Sequence, residues 1–134
     1  MLADDEANQV ISGQAFALVH HIARVRLEHR RLTVIDATNL KRAARRPLLD
    51  LAARASVDTI AIVFENSLDV LLANNESRLG RVVPTEAVME QAARLARIIP
   101  SLETEGYRSI YRLDQSSVTD AVVERRAETT EQPE

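Results

Sequence analysis

The sequence contains no cysteine, which excludes disulfides, thiolate metal sites and cysteine nucleophiles together. Glycine is scarce, with three residues in 134, at positions 13, 80 and 106. None stands before a lysine, so the pattern G-x-x-x-x-G-K-[ST] is absent. In that pattern successive backbone amides wrap a phosphate chain while the lysine and hydroxyl complete the site. Aromatic residues make up 3% of the chain: Phe16, Phe64, Tyr107 and Tyr111. Two of the four fall at expected core positions, which leaves too few for a stacking platform along single-stranded nucleic acid. No apolar run approaches the about 20 residues of a membrane span. The opening MLADDEANQV is acidic where a secretion signal is basic and then apolar, so a cytoplasmic location is expected. The formal net charge of −3 argues against a general electrostatic grip on nucleic acid and leaves focal anion binding.

What is present belongs to an ordinary globular chain, 46% hydrophobic and 28% charged. The length suits one domain and is short for a complete nucleotide-binding α/β enzyme. Of 17 basic residues all but Lys41 are arginine, which follows from base composition as readily as from selection for bidentate anion binding.

Apolar residues Phe16, Val19, Ala23 and Leu27 recur at helical spacing from about Ser12 to His29. LTVID, Leu32 to Asp36, is a β-rich run without alternation, as in a strand covered on both faces. KRAARRPLLDLAARA predicts a helix facing inward through Leu48, Leu49, Leu51 and Ala52, with Pro47 either kinking it or opening its second half. DTIAIVFE, Asp58 to Glu65, reads as a second doubly covered strand. NSLDVLLANNE predicts a helix capped by Asn66 or Ser67 that fades at Asn74 and Asn75. SRLGRVV is a polar loop with Gly80 between Arg78 and Arg81. Pro84 then opens a helix whose Val88, Ala92, Leu95 and Ile99 keep the spacing. YRSIYRL alternates like a less buried edge strand. Residues 1–114 form one expected domain and 115–134 a polar tail with a loose helix from about Ser117. The order predicts an α/β layered domain on a parallel sheet of about three strands, with ligands beyond the strands' carboxyl ends.

Asp36 stands at such an end. It is either a ligand holder or a residue closing a turn by bonding nearby backbone. Arg78 and Arg81 are either phosphate donors or solvated loop charges. His20 fits packing or surface exposure better than chemistry. The run ADDEA either crowds a metal or is a frayed acidic terminus, and the second is expected.

The segments VIDATNL, ARRPLLDLA, IAIVFENSLDVLLANNESRLGRVVP and EQAARLARIIPSL, in this order from roughly Asp4 to Leu113, resemble the kinase domain of bacterial polynucleotide kinase-phosphatases, a P-loop polynucleotide 5′-kinase family. The resemblance implies a three-layer P-loop NTPase-like parallel sheet whose first two strands lie outside the matched residues. It implies ATP and Mg2+ as cofactors, a polynucleotide 5′ end as acceptor, and nucleic acid repair as the setting. It makes Arg78 the lid arginine that neutralises charge on the transferring phosphoryl group, and Arg81 a neighbouring basic position. Asp36 becomes the strand-end carboxylate that orients a magnesium-bound water, and Asn39 steadies the turn below it.

Departures from the family are specific. The phosphate loop is absent, and the family's Asp-x-x-Arg element, whose Asp accepts the proton of the attacking hydroxyl, would lie before Met1. Asn74 replaces an arginine at the lid, and FEN replaces an Asp-containing strand end. The chain is therefore expected to be the C-terminal portion of such a kinase, inactive alone and completed by a chain that supplies the N-terminal portion. The two strands flanking the absent central one would be left with open edges. Either they pair directly, or another polypeptide adds the strand. The alternatives are a catalytically silent interaction or nucleotide-sensing module, a fragment of a small-metabolite P-loop kinase, and a fragmentary reading frame.

Overall fold

The computed structural model describes residues 2–80 and 82–124, the side chains of residues 2–11 excepted. Arg81, the ADDEA side chains and the end of the polar tail therefore lie outside the described residues. The elements in chain order are α1 (Leu2–Glu28), α2 (Arg42–Arg54), β1 (Ile60–Phe64), α3 (Leu68–Glu76), α4 (Thr85–Leu102), β2 (Ser109–Leu113) and α5 (Gln115–Asp120). β1 and β2 pair in parallel from Ile60 with Ser109 to Phe64 with Leu113. The ladder is extended at both ends, where Arg108 N–H donates to Thr59 O at 2.9 Å and Glu65 N–H to Leu113 O at 2.7 Å. Two helices and a loop connect the strands, as a parallel pair requires. No helix among the described residues is long and apolar enough to cross a membrane.

Local chemistry explains most boundaries. Ser67 caps α3, its hydroxyl accepting from Val70 N–H at 3.4 Å. Pro84, extended at φ −54° and ψ 137°, leads into α4. Asp114 and Ser117 form a reciprocal capping box at α5, which starts two residues before the expected Ser117. Pro47 lies within α2, and one helix runs through it.

Two strand expectations need correction. Leu32–Asp36 joins no sheet, so among the described residues the sheet has two strands where about three were expected. Leu32 is 87% and Val34 80% exposed. A β-rich segment becomes a strand only when a neighbouring strand takes up its backbone donors and acceptors, and no described strand does so here; the Arg26 guanidinium donates to Leu32 O at 2.8 Å instead. β1 is covered on one face only: Val63 is buried, whereas Ile60, Ile62 and Phe64 are more than half exposed. Tyr111, in register with Ile62, is exposed beside them.

Phe16 and Phe64, on apolar runs that pattern alone would place inside, lie 48% and 56% exposed. The buried apolar set is small, comprising Ala23 of α1, Leu49 and Ala52 of α2, Val63 of β1 and Leu102 of α4. The face of β1 that carries Ile60, Ile62 and Phe64 is left bare.

Candidate functional site

The turn that follows Asp36 is held from a distance. Asn39 adopts φ +47°, a left-handed conformation that Asn tolerates better than most residues. Its carbonyl accepts from Arg45 Nη1 at 2.8 Å. The same guanidinium grips Glu105 with both arms, Nε to Oε2 at 2.8 Å and Nη2 to Oε1 at 2.5 Å. Their side chains are 5% and 3% exposed. This is the planar fork geometry in which arginine and carboxylate match bidentately. The Glu105 hydrogen bond raises the Arg45 pKa against the lowering effect of burial. The reciprocal bond holds the Glu105 carboxyl below its usual range. Burial pushes the neighbouring Tyr107 hydroxyl upward. Gly106, at φ +108°, then swings the chain toward β2, so one ion pair ties the Asp36 turn to the approach of the second strand.

A second tie holds the loop that carries Arg78. Asn75, at the end of α3 and 7% exposed, donates through Nδ2 to Val83 O at 2.7 Å and accepts at Oδ1 from Val83 N–H at 3.0 Å. Arg78 itself is exposed. Its backbone N–H reaches Asn75 O at 3.3 Å.

The carboxyl ends of β1 and β2 open on a cavity of about 560 Å³ between α3, α4 and the start of α5. Glu65 stands there, held below the usual carboxylate range by Arg112, which hydrogen-bonds both of its oxygens. Asp114 is lowered to about 2 by the Ser117 backbone N–H and hydroxyl and by Ser116. The Asn66 Oδ1 is buried without a hydrogen-bond partner among the described residues. The cavity wall holds two carboxylates and no basic residue, so it does not suit a polyphosphate.

Of the residues expected to act, Asp36 is exposed at the end of the unpaired segment, Asn39 is half-buried in the turn, Arg78 is exposed on its loop, and Arg81 lies outside the described residues. Neither the strand-end cavity nor a second one of about 380 Å³ at the opposite end of the strands is lined by Asp36 or Arg78. His20 is half-exposed on α1. No group of three or more His, Asp or Glu side chains is arranged to hold a metal among the described residues.

A family model described as AAA domain matches residues 2–98. The chain belongs to the AAA domain family. The match takes in α1, the Asp36 turn, α2, β1, α3 and the Arg78 loop, and it ends inside α4. No curated protein matches the chain. As an AAA domain it is an α/β, P-loop-like chain built on a two-stranded parallel sheet.

Arg45, Glu105 and Asn75 are the residues of this AAA domain that sequence reasoning missed. The signal for Arg45 was its spacing, since positions 45, 49 and 52 share one helical face and Leu49 and Ala52 are buried there. A charge on a buried stripe demands a partner. For Asn75 the only hint was an amide side chain at a helix end.

Proposed function

We propose that this AAA domain is the C-terminal portion of an ATP-dependent P-loop kinase acting on a polynucleotide 5′-hydroxyl, completed by a polypeptide that brings the glycine-rich phosphate loop. The observation that carries this reading is the state of β1. It is hydrogen-bonded on one side only, and its Ile60, Ile62 and Phe64 lie open. The apolar Leu32–Asp36 segment stands unpaired as well. A parallel sheet is ordinarily covered on both faces, and one more strand with its helix is what such an edge and face accept. The partner is therefore the β-loop-α portion that contains the absent phosphate-binding pattern.

In the completed kinase the γ-phosphoryl group passes from ATP to the 5′-oxygen, ADP departs, and the hydroxyl proton goes to a carboxylate of the partner portion. Arg78 offers paired N–H donors to phosphate oxygens, where charge accumulates in the transition state. Arg81, three residues on in the sequence, is the neighbouring basic position that the resemblance implies. Asp36 would hold water of a bound magnesium ion, which would neutralise charge on the phosphates, and Asn39 would set the turn that presents the carboxylate. One carboxylate is not a magnesium site. The ion takes one or two carboxylates together with substrate phosphates and waters, so the residues described here fit only part of it.

The test is to co-express the chain with a β-loop-α portion carrying G-x-x-x-x-G-K-[ST] and to measure ATP-dependent labelling of a 5′-hydroxyl oligonucleotide. Labelling is expected, with about a 100-fold loss on Arg78→Ala. A complemented protein that transfers nothing and ignores Arg78→Ala refutes the reading. A preference for small alcohols over oligonucleotides would make it a small-metabolite kinase.

A second reading is a catalytically silent interaction or nucleotide-sensing module, and the strand-end cavity, which lacks any basic residue, favours the interaction form. It predicts a stable complex with a partner and no transfer under any complementation.

A further inference from the structure

We infer that Asn75 is the positioning residue that keeps the Arg78 loop in its working shape. This role rests on the phosphate reading of Arg78. Asn75 is a buried amide at a helix end whose neighbours Asn74 and Glu76 are exposed. Its donor and its acceptor both go to one residue, Val83, at 2.7 and 3.0 Å. It satisfies that backbone as an adjoining strand would. Val83 directly precedes Pro84, which caps α4. The end of α3 and the start of α4 are thus fastened to each other, and Arg78 and Gly80 (φ +90°) sit on the span between.

An apolar side chain would fill the same space but leave the Val83 N–H and carbonyl without the partners Asn75 supplies, so the amide here sets register as well as packing. The remaining hydrogen bonds at this loop are local. Ser77 Oγ donates to Asn74 O at 2.9 Å, and Ser77 N–H to Ala73 O at 3.1 Å. With its base fixed, the loop has fewer torsions to freeze when its guanidinium meets an anion, which is how a remote side chain strengthens binding. Loss of the tie leaves Arg78 chemically intact and spatially loose.

The experiment uses the full chain and inorganic tripolyphosphate. Amide exchange of Val83 and tripolyphosphate affinity by titration calorimetry are measured in the native protein, Asn75→Asp, Asn75→Ala and Arg78→Ala, and the Arg78 Nε–Hε resonance is followed on titration wherever Arg78 is present. The aspartate keeps one acceptor and sets a carboxylate against the Val83 carbonyl. It is the harsher change, and Asn75→Ala removes both hydrogen bonds without adding a charge. Val83 is expected to be protected in the native chain and to exchange at least about tenfold faster in Asn75→Asp, with the Val63 amide unchanged. Tripolyphosphate affinity is expected to fall about tenfold in Asn75→Ala and Arg78→Ala alike, and no further in the double variant. An unprotected Val83 in the native chain overturns the inference at once. So does a loosened loop that binds tripolyphosphate as well as before. Failure of the phosphate reading itself looks different: Val83 protected, no native binding, and the tie reduced to loop closure.

Discussion

The guanidinium of Arg45 sits where the spacing of Leu49 and Ala52 calls for an apolar side chain, and three hydrogen bonds justify its burial. Pairing of this kind adds little net stability over a well-packed apolar isostere, but breaking it is costly. Arg45→Met strands the Glu105 carboxylate, so urea denaturation should show a loss of about 3–5 kcal/mol. The double variant Arg45→Met, Glu105→Leu should recover much of it. The same pair sets an acid limb. The Glu105 carboxyl is depressed in the fold, so its contribution is complete above the unfolded carboxyl value of about 4.3 and is lost as pH falls through the folded value. Asp114, lowered to about 2, acts in the same direction between about 3.9 and that value. Urea midpoints taken from pH 7 down to pH 2 should therefore decline below about pH 4, and Glu105→Gln should flatten the first part of the decline.

At the scale of elements, α2, α3, α4 and both paired strands were legible because their signals are local, whereas α1 begins at Leu2, well before the expected Ser12 and through the run expected to be a frayed acidic terminus. The local signals include the apolar spacing of Val88, Ala92, Leu95 and Ile99, the Ser67 cap, Pro84 before α4, and the alternation of Ser109–Leu113. Leu32–Asp36 was misjudged for the opposite reason. Its composition suits a strand, but a strand is a relation between two segments. The two ties at the candidate residues were equally hidden, since Glu105 lies 60 residues from Arg45 and an asparagine at a helix end has many uses. Gly106 tests the turn that brings Glu105 into place. An added Cβ would meet no atom within 4 Å, so the cost of Gly106→Ala comes from φ +108° alone. A loss of at least about 1 kcal/mol is expected in thermal or urea melts.

For the whole molecule, the decisive feature is unshared apolar surface. Ile60, Ile62, Phe64 and Tyr111 open on one side of the sheet, and Phe16, Leu18 and Ile22 are exposed along α1. A short uncharged strand with a free edge invites pairing with other chains. The chain alone is expected to associate as its concentration rises, followed by light scattering. Ile62→Lys should suppress that association and leave the midpoint of unfolding within about 0.5 kcal/mol of native. In the complemented kinase the same lysine should block assembly.

The order of residues alone determined where α3 and α4 begin, which segments have β character, and that the phosphate-loop pattern is absent from these residues, because periodicity, capping and motif spacing are properties of neighbouring residues. The tertiary structure alone decided that Leu32–Asp36 stays unpaired, which face of β1 is bare, and that Arg45 and Asn75 anchor the turns bearing Asp36 and Arg78. Hydrogen bonds and burial join residues that the chain keeps far apart, and only their meeting in space settles which partners exist.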